Sequence, residues 1–448
     1  MSKIYQLPLA YRICKRYVTF TFRFFFREYI IVGRENLPKN VPLIFAPNHL
    51  CALMDALAVV SLIPQNKSIT FLARSDIFKN RKIASILRFF KIMPAFRIRD
   101  GYKNLDKNND VFDVCVEALE QKQYIGIMPE GNQGELRNLR PLVKGIFRVA
   151  FGAQQQLGPG NPVYIVPIGL DYGDLVKARK HLIITIGKPI NVAGYLDRYN
   201  EQPAVATNEI REELRQKLHD ITLDLATDQH YECFETATEV CDTAMTKKSG
   251  LQNTTIYRFV ARREIASRLV DIEKNQPETM ALLDEWCTRY RYLAALTGLR
   301  THTLESAKPT LAALLVDGLI FLISFPPFIH GFLVNFLPFL LPVAIRKAMK
   351  VEYEGFFSSI QYVLGILFFP LFYILQTYIF YHLSGAYLPL TAVFFLSQFP
   401  LGKLSLYWYR EFRKFIGRWN FYVSSVKKKG EMIEMQEIRN KIIAVIVR

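Results

Sequence analysis

Between residues 41 and 190, short apolar or β-branched runs recur: VPLIFAP, SITFLA, IMPAF, YIGIM, PVYIVPIGL and HLIITIG. Segments with helical spacing separate them, Val111 to Gln121 among them. Strand and helix in alternation predict an α/β domain with a mixed, mostly parallel sheet flanked by helices. Chemistry in such domains gathers at the ends of strands. Further on, Ile210, Leu214, Leu218, Ile221 and Leu225 follow one another at helical steps, so residues 205 to 228 read as an amphipathic helix. The stretch 229–309 reads as more soluble helix of mixed charge, expected to pack against the α/β domain.

The two ends of the chain have a different texture. On a helical wheel Arg12, Arg16, Arg23 and Arg27 fall within about 60° of each other, while Tyr17, Val18, Phe24 and Phe25 point the opposite way. Such a helix suits the surface of a bilayer, with the basic side up. From Leu311 to Ile345 the only charged residue is Asp317, and from Gly355 to Gly402 there is none. The second run is long enough for a helical hairpin of two crossings of roughly 20 residues each, turning near Gly385 and Pro389. Pro326 and Pro327 divide the first run into pieces short of a span, and a re-entrant or kinked hairpin is expected there. Lys308, Arg346, Lys347, Lys350, Lys403, Arg410, Arg413 and Lys414 flank these runs, as cytosolic flanks should. Tyr407, Trp408 and Tyr409 suggest an interfacial belt.

A formal net charge of +17 calls for an anionic partner, and nucleic acid, anionic lipid and phosphorylated substrates are the candidates. With 34 Phe and 23 Tyr and the apolar content massed toward the end of the chain, the balance falls to membrane lipids rather than nucleic acid. Six cysteines without paired C-x-x-C spacing indicate neither a zinc knuckle nor a disulfide framework. Arginines inside the first aromatic run break the apolar core that a cleavable signal peptide needs. The organisation expected is an N-terminal amphipathic membrane-interface segment at 1–40, an α/β domain at 41–200 and a helical soluble extension at 201–309. Transmembrane hairpins at 310–410 and a basic cytosolic tail at 411–448 complete it. The whole reads as an integral membrane protein with its α/β domain on the cytosolic face of a bacterial inner membrane or the endoplasmic reticulum.

Candidate chemistry begins at PNHLCALMDAL. His49 and Asp55 are six positions apart, about 120° from each other on an ideal helix, so they cannot pair within one regular helix. They pair if 47–49 is a turn after VPLIFA and a helix starts around Leu50 to Leu53. Asp55 then fixes one ring nitrogen and the other takes a proton from an attacking hydroxyl. Three more blocks follow: Met93-Pro94-Ala95-Phe96-Arg97 with Arg99, Met128-Pro129-Glu130-Gly131, and Val166-Pro167-Ile168-Gly169-Leu170.

In this order the blocks resemble the glycerolipid acyltransferase family, the group of lysophosphatidic acid and glycerol-3-phosphate acyltransferases, over roughly residues 40 to 190. The family's first motif has four residues between His and Asp. Here there are five, a spacing similar to that of a fungal-type glycerol-3-phosphate acyltransferase branch. The resemblance implies the family's α/β fold, His49 and Asp55 as catalytic residues, and Arg97 (favoured) or Arg99 as substrate-phosphate ligand. It makes Glu130 and Gly131 substrate-binding residues, with Val166 and Pro167 lining the acyl side. After Gly131 the family carries a hydroxyl residue and an arginine, where this chain has Asn132 and Gln133. Arg137, Arg140 and Lys144 are the cations that could replace the missing one, and Arg140 and Lys144 lie in LRPLVKG, which also resembles the family.

The implied reaction moves a fatty acyl group from an acyl thioester, acyl-CoA or acyl carrier protein, to a hydroxyl of glycerol 3-phosphate or its 1-acyl derivative. It calls for no metal and no cofactor beyond that co-substrate. Three rivals stand beside it. Cys51 could act as a nucleophile with His49 beside it. A phosphate-ester hydrolase lacks its usual signatures here, G-x-S-x-G and H-E-x-x-H. A non-catalytic lipid-binding or scaffolding membrane protein accounts for the charge and the apolar tail, but not for the ordered blocks.

Overall fold

The computed structural model describes residues 6–96, 107–304 and 309–448, the side chains of 107–110 and 302 excepted. Arg97 and Arg99 lie outside the described residues. The chain divides into two compact units, one comprising 1–224 and 351–362, the other 225–350 and 363–448.

The first unit is built on strands β1 (Glu28–Val32), β2 (Leu43–Pro47), β3 (Ile69–Arg74), β4 (Ile92–Ala95), β5 (Tyr124–Gly126), β6 (Tyr164–Tyr172), β7 (His181–Ile186) and β8 (Ile190–Asn191). Their order in the sheet is β1-β7-β6-β2-β5-β3-β4, with β8 also paired to β6. The path β6-β2-β5-β3-β4 is parallel throughout. β7 and β8 run antiparallel to β6, and β1 is parallel to β7. The sheet is therefore mixed and mostly parallel. It begins before residue 41, because Glu28–Val32, grouped by its sequence with the N-terminal segment, pairs with β7.

Helices α1 (Leu9–Phe25), α2 (Leu53–Val60), α3 (Arg81–Phe89), α4 (Lys107–Glu120), α5 (Gly145–Leu157), α6 (Leu196–Glu201) and α7 (Pro203–His219) flank it. β2 is buried at every residue. Ile44 and Ala46 meet Cys115 and Leu119 of α4, Phe147 and Phe151 of α5 and Leu214 and Leu218 of α7 in one core. Leu43 and Phe45 alternate to the other face and are buried too.

Two helical expectations change. α7 ends at His219 rather than near 228. The reason is the carboxylate of Asp224, which accepts from Leu139 N at 2.9 Å and from His219 Nδ1 at 3.0 Å, drawing the following backbone back onto the domain. Leu225 is still buried, but not as part of the helix. α1 ends at Phe25, so Arg27 lies beyond it and pairs with Glu28. Of its expected apolar face, Tyr17 and Phe24 are exposed, while Val18 and Phe25 are partly buried. The buried line is Tyr11, Lys15, Thr19 and Phe22, with the Lys15 ammonium donating to the carbonyls of Pro64 and Lys67 at 2.7 and 2.8 Å.

The second unit contains α8 (Tyr231–Lys248), α9 (Thr255–Asn275), α10 (Pro277–Thr297), α11 (Thr301–Leu304), α12 (Leu311–Ile323), α13 (Phe325–Ala348), most of α14 (Phe357–Leu383), α15 (Leu388–Lys427) and α16 (Lys429–Ile446). Among the described residues two segments are long and apolar enough to cross a membrane, Phe325–Ala348 and Glu354–Leu383, each with a mean hydropathy of 2.0.

The first apolar run does not fold back on itself. Asp317 pairs with Arg418 at 2.8 Å, Phe321 meets Trp408, Phe412 and Phe415, the carbonyl of Phe328 accepts from Ser405 Oγ, and Asn335 reaches the carbonyl of Gln398. Rising numbers on one side meet falling numbers on the other, so α12 and α13 both run antiparallel to α15. Pro326 and Pro327 occupy the first turn of α13, where a fixed φ and a missing N–H are tolerated, and the helix continues for 24 residues. The break falls at Ser324, whose hydroxyl accepts from the Trp408 indole at 2.9 Å. Trp408 is thus an internal packing residue, while Tyr407 and Tyr409 are more than half exposed. This register puts Arg346 and Lys347 at the opposite end of α13 from Arg410, against the expectation that these clusters share one flank.

Candidate active site

β2 ends at Pro47 between β5 and β6, and the chain turns there through Asn48 and His49. Asn48 fastens the turn to β6. Its backbone N donates to the carbonyl of Ile168, its Oδ1 accepts from Leu170 N at 2.7 Å, and its Nδ2 donates to the Leu170 carbonyl at 3.2 Å. The imidazole of His49 therefore stands at the carboxyl end of the parallel strands.

Asp55, in the first turn of α2, is fully buried, and His49 keeps 16% of its side chain exposed. Asp55 Oδ2 accepts three hydrogen bonds of 2.8 Å, from His49 Nδ1, Leu50 N and Cys51 N. Oδ1 accepts one of 2.7 Å, from the hydroxyl of Tyr172. The longer spacing between His and Asp is absorbed at Ala52, whose φ of 44° lets the backbone coil around the carboxylate before α2 begins. Such a conformation costs on the order of 1–3 kcal/mol, set against two backbone bonds to a buried anion. Because a carboxylate can only accept, Nδ1 carries the ring proton in the neutral imidazole. Nε2 is then a free base.

Glu130 holds the same turn from the other side. One oxygen accepts from His49 N at 2.8 Å, and the other accepts from Arg140 Nε at 2.9 Å and Arg140 N at 3.3 Å. Burial pushes this carboxyl above its usual range, and the neighbouring Arg140 pulls it back. Gly131 has a φ of +70°, and a Cβ there would come within 3.1 Å of Val143, which is tied to Pro129 by a backbone bond of 2.7 Å. Arg140 also donates to the carbonyls of Asn132 and His49.

The residues expected from the sequence are distributed as follows. His49, Asp55, Glu130, Gly131 and Arg140 converge on one turn. Lys144 follows Val143 as the exposed residue before α5. Arg137 is engaged elsewhere, pairing with Asp171 and donating to the carbonyl of Tyr172, while Asp171 also meets His181 Nε2 at 3.1 Å. Val166 and Pro167 are buried inside β6, paired with Phe45 and Ala46. β4, the strand leading toward Arg97 and Arg99, ends at Ala95 on the same edge, three strands from β2, or about 14 Å at ordinary strand spacing.

Cys51 lacks the character of a nucleophile. It is 1% exposed, its Sγ points to the carbonyl of Leu175 at 3.6 Å, and burial first and Asp55 second push the thiol upward, away from thiolate.

Two participants lay outside the sequence reading. Tyr172 is one. The other is the segment 351–362, which folds over the turn: Ser359 Oγ donates to the Cys51 carbonyl at 3.2 Å, and a Cβ on Gly355 would come within 2.8 Å of the Leu50 carbonyl. Nothing in 351–362 signals this by type. For Tyr172 the signal was present, since it shares a face of β6 with Ile168 and Leu170, the residues that hold Asn48.

A family model described as Acyltransferase matches residues 29–171. Among curated proteins, the chain is 28% identical over 202 residues to glycerol-3-phosphate O-acyltransferase 2 of Saccharomyces cerevisiae, covering 43% of this chain and 26% of that one. It is 25% identical over 285 residues to glycerol-3-phosphate O-acyltransferase 1 of the same yeast, covering 59% and 36%. The chain thus spans about a quarter to a third of the length of these relatives. Among solved structures it is similar to the 1-acyl-sn-glycerophosphate (LPA) acyltransferase PlsC from Thermotoga maritima, with a TM-score of 0.32 and 15% identity over 46% of this chain and 78% of that one. The stretch that matches the Acyltransferase family model begins within β1 and ends within β6, enclosing His49, Asp55 and Glu130.

Proposed function

We propose that this chain is a membrane-associated O-acyltransferase of glycerolipid synthesis, transferring a fatty acyl group from an acyl thioester to a hydroxyl of glycerol 3-phosphate or 1-acylglycerol 3-phosphate. The observation that carries the reading is the His49 ring, locked through Nδ1 to a buried carboxylate at the carboxyl edge of the sheet, inside the matched segment.

In this scheme the acceptor hydroxyl attacks the thioester carbonyl while its proton passes to His49 Nε2. Asp55 stabilises the imidazolium that forms. As the tetrahedral intermediate collapses, the C–S bond breaks, the sulfur takes the proton from Nε2, and an ester and a free thiol remain. The phosphate of the acceptor is held by cations, with Arg140 and Lys144 near the His49 turn and, as the resemblance implies, Arg97 or Arg99. Glu130 acts on the reaction through the backbone of His49 and through Arg140.

The donor is acyl-CoA or acyl carrier protein. The names of the yeast relatives favour glycerol 3-phosphate as acceptor. The two long apolar helices and the basic charge support membrane attachment, with the first unit on the face that soluble acyl thioesters reach.

The test is His49→Ala in membranes, with radiolabelled acyl-CoA or acyl carrier protein offered with each acceptor in turn. Transfer should vanish while the protein stays in the membrane fraction with its helical circular dichroism intact. Transfer at the wild-type rate would overturn the assignment.

A further inference from the structure

We propose that helix α3 and the outward stripe of α1 form a docking face through which the first unit seats on an anionic lipid bilayer, separately from the apolar helices of the second unit. α3 buries only Ala84. Ile83, Ile86, Phe89 and Phe90 are 46%, 57%, 40% and 37% exposed, and Ile77 in the turn before the helix is 47% exposed. At helical spacing Ile83, Ile86 and Phe90 fall within roughly 60° of one another. A helix turned toward water would carry polar residues along that line.

The exposed charge on and beside α3 has one sign. Lys79, Arg81, Lys82 and Arg88 are basic and exposed, and no acidic residue occurs from 79 to 91. A short helix with bulky apolar side chains, several cations and no anion has the composition that enters the headgroup layer of an anionic membrane.

α1 extends the face. Its Tyr11 meets Phe89 edge to face at 6.2 Å, and the Lys91 ammonium lies over the Tyr11 ring at 5.1 Å. With Tyr11, Lys15, Thr19 and Phe22 turned inward, the opposite side presents Leu9, Ile13 and Phe20, each at least 58% exposed, beside the exposed Arg12, Arg16 and Arg23. α1 is therefore apolar on two sides, one used by the domain and the other unused. α3 runs directly into β4, so a bilayer that holds α3 also approaches the strand that ends on the edge bearing the His49 turn.

The experiment uses the full chain in vesicles of phosphatidylcholine with and without phosphatidylserine. In a Cys14→Ser background, where the remaining described cysteines are buried, spin labels are placed at Ile83→Cys, Ile86→Cys and, on the far side of α3, Ser85→Cys. With phosphatidylserine present, the labels at 83 and 86 should gain oxygen access and lose access to an aqueous nickel chelate by about tenfold, while the label at 85 stays in water. Ile83→Asp/Ile86→Asp should return an additional label at Phe90→Cys to the aqueous phase.

Nickel access at 86 unchanged by either vesicle overturns the proposal. So does spin–spin broadening between copies, which assigns the face to a second copy, and so does protection that persists in lipid-free detergent, which assigns it to protein. None of these readings requires turnover, so they stand or fall separately from the acyl-transfer assignment.

Discussion

Tyr172→Phe isolates one bond in the site. The ring stays and fills the same space, while the hydroxyl that donates to Asp55 Oδ1 is removed from a carboxylate with no exposure to solvent. Burial and the Asp55 charge both push the Tyr172 phenol well above its usual value, so it is a hydroxyl donor at any working pH. Two effects follow. A hydrogen bond to a charged group contributes about 1.5–3 kcal/mol, so the variant should lose about 2 kcal/mol of stability.

The second effect is on rate: kcat should drop by about tenfold, the equivalent of 1.4 kcal/mol, because Oδ1 is free to turn. KM for the acceptor should hold, since Tyr172 touches no substrate in this scheme. Initial rates with purified protein over a range of acceptor concentrations, alongside thermal unfolding, read all of these. If the variant melts lower but keeps the wild-type kcat, Tyr172 only supports the fold and does not position the His49–Asp55 pair.

Cys51→Ser should keep acyl transfer within about threefold of wild type, because the thiol is buried and held from ionising. A loss of a hundredfold in the same assay would restore the acyl-enzyme scheme. Glu130→Gln leaves an acceptor for His49 N but turns an amide N–H₂ toward Arg140 Nε. It should lower both the melting temperature and kcat/KM, the latter by about tenfold; equality with wild type in both would remove Glu130 from the positioning of His49. Lys15 gives a pH signature. Burial lowers it from the usual 10.5 to about 8, so the folded chain sheds this proton before the unfolded chain does. The cost of burying the ammonium is present below pH about 8 and disappears as pH rises from about 8 to 10.5. Wild type should gain melting temperature relative to Lys15→Met over that window; a difference that stays flat or shrinks contradicts the sign.

The sheet was legible because its central strands are continuous apolar runs. The six runs read from 41–190 correspond to β2 through β7. β1 was hidden, since EYIIV directly follows the aromatic run of α1 and becomes a strand only by pairing with β7. The end of α7 was hidden for a similar reason. The spacing of Leu218, Ile221 and Leu225 continues the helical pattern, and only the distant Leu139 N–H and the adjacent His219 ring, both claimed by Asp224, stop it. Long-range bonds of this kind leave no periodicity to read.

The site divides along the same line. His49 and Asp55 could be paired from their spacing once a turn was allowed between them, because the imidazole reaches the carboxylate locally. What holds that pair in place is remote in the chain. Asn48 is fastened to Leu170, His49 N to Glu130, the Cys51 carbonyl to Ser359 and Asp55 Oδ1 to Tyr172. Each of these is a polar group in a place closed to water, where an unmade bond costs about 1–3 kcal/mol. Those costs restrict the turn to one arrangement, so the pairing was readable from two residues while its geometry depends on remote segments. A variant that keeps His49 and Asp55 but cuts any of the four ties should therefore fold with a looser imidazole, losing rate before it loses structure.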